Sequence, residues 1–295
     1  MKYALFLGCT VPIRSQNYEV AVRKVAAGLG IELVDVEEFS CCGFPVKSTN
    51  ARTTLLMAAR NLAVAEEQGL DVCCLCSACS AVLTETNMEL THDQKLLREV
   101  NRQLKRIGRQ YRGSVKVKHF ARILYEEVGL ERLRQSVTRP LSGLRLAPHY
   151  GCHFVRPKAN YDGFDDPEAA CSLDELVAVT GADVVHYETK KYCCGGAILG
   201  VEQSTALGLS GAKLLDVRAA GADALISICP FCSVLYEDNQ KKVEEQFQRE
   251  IGLPVFFYPQ VLGLAMGYDP KDLGFRLNKV RPDEVLAKVV PAAMA

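Results

Sequence analysis

The sequence predicts an α/β protein of two pseudo-symmetric halves, each with a short, mostly parallel sheet. Three observations predict it. Short apolar runs rich in β-formers alternate with amphipathic helical stretches, as in right-handed parallel units. A Pro, Ser and Gly cluster at residues 139–143 marks a boundary near the middle of the 295-residue chain. Finally, Ser40-Cys41-Cys42-Gly43-Phe44-Pro45 recurs as Tyr192-Cys193-Cys194-Gly195-Gly196.

The elements follow in order. Residues 2–8 are an apolar run ending in Gly8-Cys9, as a buried parallel strand would. Asn17 caps a helical pattern whose apolar positions are Val20, Val22, Val25, Ala26 and Leu29, stopped by Gly28 and Gly30. Residues 31–36 are a second strand, leading through Glu37 and Glu38 into Cys41-Cys42. Asn50 opens a helix with Leu55, Leu56, Ala59, Leu62 and Ala63 on one face, ending at Gly69. Residues 70–75 are the third strand, and Cys76-Ser77-Ala78-Cys79 sits where it turns into the next helix. Residues 92–112 are highly charged and helical, with nothing that suggests chemistry. A fourth strand at 115–120 and a short helix from Ala121 close the half.

The second half repeats the plan. Strands are expected at 144–150, 183–187, 222–228 and 254–258, and helices at 173–180, 205–220 and 260–266. The predicted domains are residues 1–140 and 144–270, with a surface tail of scattered Pro and charge over 271–295. In parallel sheets of this kind ligands gather outside the carboxyl ends of the strands. The cysteines lie on the connections that follow strands one, two and three, so topology brings them to one edge.

Composition bounds the function. With 35 basic and 35 acidic residues there is no global field for nucleic acid or an anionic membrane. Thirteen cysteines, an odd number in a long chain, favour metal ligation in a reducing compartment over disulfides. Leu5-Phe6-Leu7-Gly8-Cys9 looks like a lipoprotein cleavage site but lies too near the start to follow a full signal. Residues 253–268 carry Pro254, Pro259 and Gln260 and fall short of a membrane span. The expectation is a soluble, cytoplasmic protein. A Gly-x-Gly-x-x-Gly dinucleotide fingerprint after a strand is absent, so electrons would have to come from a partner.

Each cysteine pair has a lone cysteine upstream and a C-x-x-C downstream. The first set is Cys9, Cys41, Cys42, Cys76 and Cys79; the second is Cys152, Cys193, Cys194, Cys229 and Cys232. From Cys42 to Cys76 is 34 positions, and from Cys194 to Cys229 it is 35. Iron–sulfur clusters take thiolate ligands, and no tightly spaced ferredoxin run for an ordinary cubane exists here. A structural zinc is the main alternative, but it takes four ligands as two short chelating pairs. Adjacent cysteines serve neighbouring irons more naturally than one zinc or a vicinal disulfide. Cys73, Cys74 and Cys171 have no repeat partner, and the first two read as small apolar residues of a buried strand.

His153 follows Cys152 directly and is the candidate to protonate a leaving thiolate. His149 and Tyr192 are weaker candidates. Arg14, Arg156, Lys190 and Lys191 lie close to the paired or lone cysteines and could hold an anionic substrate, or be solvated surface charges.

Two complete five-cysteine sets resemble the CCG family, and in length, order and both copies the chain is similar to the B subunits of heterodisulfide reductases. The resemblance implies two Rossmann-like CCG domains, with each set of five cysteines binding a non-cubane [4Fe-4S] cluster. It implies reduction of a disulfide formed from two thiol coenzymes. It also implies electrons arriving through a ferredoxin-like iron–sulfur protein, the C subunit of such complexes, fed by the flavin-containing A subunit. Disulfide cleavage takes two electrons, and iron–sulfur centres deliver them singly. Two clusters facing one S–S bond could each supply one electron and receive one sulfur, which gives a reason for the duplication. Relatives also serve in electron transfer within succinate dehydrogenase, fumarate reductase and benzoyl-CoA reductase complexes. A zinc-stabilised binding module without redox chemistry is the third reading.

Overall fold

In the computed structural model, which describes residues 1–289, each half builds one four-stranded sheet. In the first, β1 Lys2–Phe6, β2 Glu32–Asp35, β3 Asp71–Cys74 and β4 Val117–His119 lie in the order β2-β1-β3-β4. In the second, β5 Arg145–His149, β6 Asp183–Val184, β7 Ala224–Ser227 and β8 Val255–Phe257 repeat that order as β6-β5-β7-β8. Every strand pairing is parallel. The sheets are thus more uniform than the mostly parallel expectation. Strands β1 and β5 sit inside their sheets and bury all but their first residue, which is why they read as continuous apolar runs. The sixth strand is shorter than its apolar run. After Val185 hands its N–H to Leu146 O at 2.8 Å, the chain turns into the 3₁₀ segment Glu188–Lys191.

The helices after the cysteine pairs match closely. Ala51–Glu67 and Gln203–Ala219 are both 17 residues long. Asn50 caps the first, its side chain accepting from Thr53 N. The glycines of the second do not interrupt it; Gly211 leaves the space that the Phe247 ring fills. One cap expectation fails. Ser15 occupies the N-cap of Gln16–Gly28, and Asn17 lies inside that helix, where its Nδ2 reaches Asn278 Oδ1 at 3.2 Å. Burial toward the C-terminal segment has captured a side chain that looked like a local cap.

The two sheets share their cores. The helix Gln16–Gly28 of the first half packs on Tyr258–Ala265 of the second, and Tyr18 stacks on Phe257 with centroids 4.1 Å apart. Tyr18 Oη and His119 Nε2 both meet the Ile228 carbonyl, at 3.1 and 3.0 Å, one residue before Cys229.

The segment after Asp269 is not a surface tail over the described residues. Leu273, Phe275, Val285 and Leu286 are buried in the core, and residues 290–295 lie outside the described residues. Scattered Pro and charge hid short 3₁₀ turns whose apolar residues seal the junction with Gln16–Gly28. Asn278 is the pin. Its Nδ2 donates to Val255 O at 2.8 Å, and its Oδ1 accepts from Gln260 Nε2 at 3.0 Å as well as from Asn17. Asn278→Ala strands three buried partners and is expected to lower stability by about 2–4 kcal/mol. Denaturant unfolding checks this; a change near zero would show that the segment is held elsewhere.

Candidate metal centre

Each cysteine set is assembled the same way. The lone cysteine follows the central strand through a left-handed glycine, Gly8 (φ 67°) or Gly151 (φ 68°). A Cβ at Gly8 would stand 3.0 Å from Cys79 Sγ, and one at Gly151 would stand 3.5 Å from Cys232 Sγ. Side chains are therefore missing where the sulfurs need room. The first cysteine of each C-x-x-C, Cys76 or Cys229, stands at the N-cap of the helix that follows β3 or β7. The pairs Cys41-Cys42 and Cys193-Cys194 sit on tight loops turned by Gly43 (φ 94°) and Gly195 (φ 84°). There the backbone N–H groups of Gly43 and Gly195 point at Cys41 Sγ and Cys193 Sγ, at 3.4 and 3.3 Å.

In each set three cysteines are buried (Cys42, Cys76 and Cys79; Cys194, Cys229 and Cys232) and two lie toward the surface (Cys9 and Cys41; Cys152 and Cys193). Nine of the ten thiols perturb one another pairwise, each through its neighbour. The line of neighbours runs from Cys41 through Cys42, Cys79 and Cys76, crosses to Cys229, and continues through Cys232, Cys194 and Cys193 to Cys152. The two sets meet at Cys76 and Cys229. Cys9 stands apart: it is exposed, 3.8 Å from Thr10 Oγ1.

Such crowding forces the thiols to share protons. Cys42 is pulled down to about 4, first by hydrogen bonding with Cys41 and then with Cys79. Cys193 is pulled down to about 2 by Cys152 and then Cys194, and Cys229 is lowered by Cys232 and then Cys76. Their neighbours move the other way, Cys194 up to about 12 because of Cys193. Ionising the whole line would place like charges side by side unless positive charge lay among them. Among the described residues no three Cys, His, Asp or Glu side chains form a group that could hold a metal ion.

His153 lies inside this region, its Nδ1 3.3 Å from Cys152 Sγ and its ring edge-on to Phe44 at 5.0 Å. Burial lowers its pKa. His149 is buried behind the second set, 3.5 Å from Tyr236 Oη. Tyr192 is exposed beside a cavity of about 90 Å³ that opens next to Cys152. The cations that could hold an anion or be plain surface charges have acidic partners. Arg14 meets Asp238 at 3.3 Å, Arg156 meets Glu168 at 2.9 Å, and Lys190 meets Asp174 at 2.5 Å. Lys191 is 3.8 Å from Glu168. Cys73 and Cys74 are fully buried in β3, and Cys171 is exposed beside Asp165.

Sequence reading missed three neighbours of the thiols. Phe44 of the first half reaches across to line a cavity of about 20 Å³ formed with Phe231, His153 and the cysteines of the second set; the cavity has room for about one water. Asn61 donates to the Ser40 and Cys41 carbonyls at 3.2 and 3.1 Å, holding the first cysteine loop. Lys213 holds the second loop by its carbonyls. Phe44 follows Cys-Cys-Gly directly, but Asn61 and Lys213 are ordinary helix positions whose role appears only once the two helices are superposed on the repeat.

Comparison with known proteins agrees with the internal repeat. The cysteine-rich domain family CCG matches residues 3–84 and 146–235. The chain is 37% identical over 292 residues to the B subunit of the ferredoxin/F(420)H(2)-dependent CoB-CoM heterodisulfide reductase of Methanosarcina acetivorans, covering 98% of this chain and 97% of that protein. It is 30% identical to the 8-methylmenaquinol:fumarate reductase membrane anchor subunit of Wolinella succinogenes, over 95% of this chain and 97% of that one. Among the described residues no helix is long and apolar enough to cross a membrane. A crystal structure of a hypothetical protein from Helicobacter pylori shares the fold, with a TM-score of 0.78 at 19% identity over 95% of this chain and 52% of that one.

Proposed function

The chain belongs to the cysteine-rich CCG family that includes the B subunit of heterodisulfide reductase, and from that premise we propose that it is the disulfide-reducing subunit of a heterodisulfide reductase-type complex. The observation that carries this reading is the pair of equivalent five-cysteine sets, raised on equivalent sheet ends, with Cys76 and Cys229 each perturbing the other. Cys9, Cys41, Cys42, Cys76 and Cys79 would hold one non-cubane [4Fe-4S] cluster, and Cys152, Cys193, Cys194, Cys229 and Cys232 the other. The residues suit that group. Five thiol donors per set are the ligand type such a group takes, and the glycine cradles leave space at Cys79 Sγ and Cys232 Sγ. The clusters would supply single electrons and iron sites for sulfur.

The chain's own residues supply the rest. Reducing one disulfide to two thiols consumes two electrons and two protons. His153 stands beside Cys152 at the outer end of the thiol line, where it can pass a proton to a departing sulfur. Phe44 and Phe231, edge to face at 6.1 Å, restrict water at the junction of the sets. Electrons would come from a ferredoxin-like iron–sulfur protein and a flavin-containing protein of the same complex, in the cytoplasm. The similarity to the Wolinella protein supports a second reading, an electron-transferring component of a fumarate reductase-type complex.

Metal and sulfide analysis of anaerobically purified protein tests the premise. About eight irons with matching acid-labile sulfide are expected, four per set, and Cys171→Ala should keep them all because Cys171 lies exposed outside both sets. Two zincs without sulfide would end the reading in favour of a zinc-stabilised module. Iron loss in Cys171→Ala would mean that a ligand has been misassigned.

A further inference from the structure

The two sets are equivalent in backbone but not in what is buried behind them. Gly43 and Gly195 fix the register of the following helices, since a Cβ on either would strike the backbone of an equivalent residue, Thr54 or Ala206. In that register Asn61 corresponds to Lys213. Both are buried, at 1% and 0% exposure, and both donate to loop carbonyls ahead of the cysteine pair. One is neutral and the other carries an ammonium. Among the described residues no carboxylate forms a salt bridge with Lys213; its Nζ meets the Thr189 and Lys190 carbonyls and lies 5.5 Å from the Tyr187 ring centroid. Burial pulls its ammonium down to about 8, while Cys232, Cys194 and Cys193 of the second set and the Asp216 carboxylate act through charge to hold it up. The same imbalance recurs nearby. Phe6 and Leu83 back the first set, where the repeat puts His149 and Tyr236 behind the second.

Resting on the cluster reading above, we propose that Lys213 is a positioning residue that makes the two centres electrically unequal, raising the reduction potential of the one held by the second cysteine set. A fixed buried cation stabilises an added electron at a nearby centre, and low polarisability lets the effect reach through the protein. Asn61 holds its own loop without a charge, by the Ser40 and Cys41 carbonyls, a few residues nearer the cysteine pair than the Thr189 and Lys190 carbonyls that Lys213 takes. An electron therefore rests preferentially at the second centre.

Spectroscopic redox titration of the iron-loaded protein tests this. Two midpoints are expected, and Cys42→Ala protein should retain the higher one. In Lys213→Gln and Lys213→Met the higher midpoint should fall while the lower stays. The expected size is at least about tenfold in the reduced-to-oxidised ratio at fixed poise, ~59 mV for a one-electron couple. Lys213→Arg should keep the native value. An unchanged midpoint in Lys213→Gln, an equal shift of both centres, or an Arg variant as shifted as Gln would overturn the proposal. If the neutral variants fail to load iron, the native protein still decides: coincident midpoints, or retention of the lower one in Cys42→Ala, contradict it. Absence of iron and sulfide from the native protein would instead remove the cluster reading beneath it.

Discussion

Gly195→Ala is expected to destabilise the protein by about 2–5 kcal/mol and to strip iron from the second set alone. Two effects combine. Gly195 has φ 84°, in the left-handed region, and an added Cβ would lie 2.8 Å from Ala206 O and 2.9 Å from Ala206 Cα. Backbone at those distances cannot yield as a flexible side chain can, so the loop must move. Moving it withdraws the Gly195 N–H from Cys193 Sγ and the Gly196 N–H from Cys194 Sγ, both at 3.3 Å. The glycine after the cysteine pair is thus a mechanical requirement of the site. Gly43, with φ 94° and Thr54 Cα 2.9 Å from its missing Cβ, should behave likewise for the first set. Gly200→Ala is the control, since nothing lies within 4 Å of its Cβ position. Thermal unfolding with iron counting reads both effects; native stability in Gly195→Ala would show that the loop is softer than this packing allows.

The parts legible in the sequence are those fixed by local pattern or by repetition. Apolar runs closed by Gly8 and Gly151 located the central strands, and the duplicated cysteine spacing announced the repeat of one half in the other. Asn50 was legible as a cap because its partner, Thr53 N, is three residues away. Asn17 was misread because its partner is Asn278, across the molecule. The packed segment after Asp269 was misread for the same reason: its apolar residues are too sparse to signal an element, and they bury against a helix more than 240 positions earlier. The meeting of Cys76 with Cys229 was likewise invisible, since it depends on how Tyr18 and His119 grip Ile228 O from the other half. Lys213 has no local signal in the sequence, being one more lysine on a helix. Only its burial and its correspondence to Asn61 give it a role.

The central claim is that both cysteine sets act on one disulfide, and neither suffices alone. If each centre takes one sulfur and gives one electron, removing either should stop turnover rather than slow electron supply. A relay behaves differently. There, a small reductant that reaches the terminal centre directly bypasses the damaged one. The burial pattern leaves Cys9 and Cys41 of one set, and Cys152 and Cys193 of the other, toward the surface, so a dye can approach both. The direct measurement is reduction of a coenzyme disulfide by reduced viologen, using Cys42→Ala and Cys193→Ala proteins that each retain half of the iron. Both variants are expected to lose at least about 100-fold in turnover, equally, with the dye in excess. Near-native turnover in either one would contradict the claim, leaving the surviving set as the only place where the disulfide is cut.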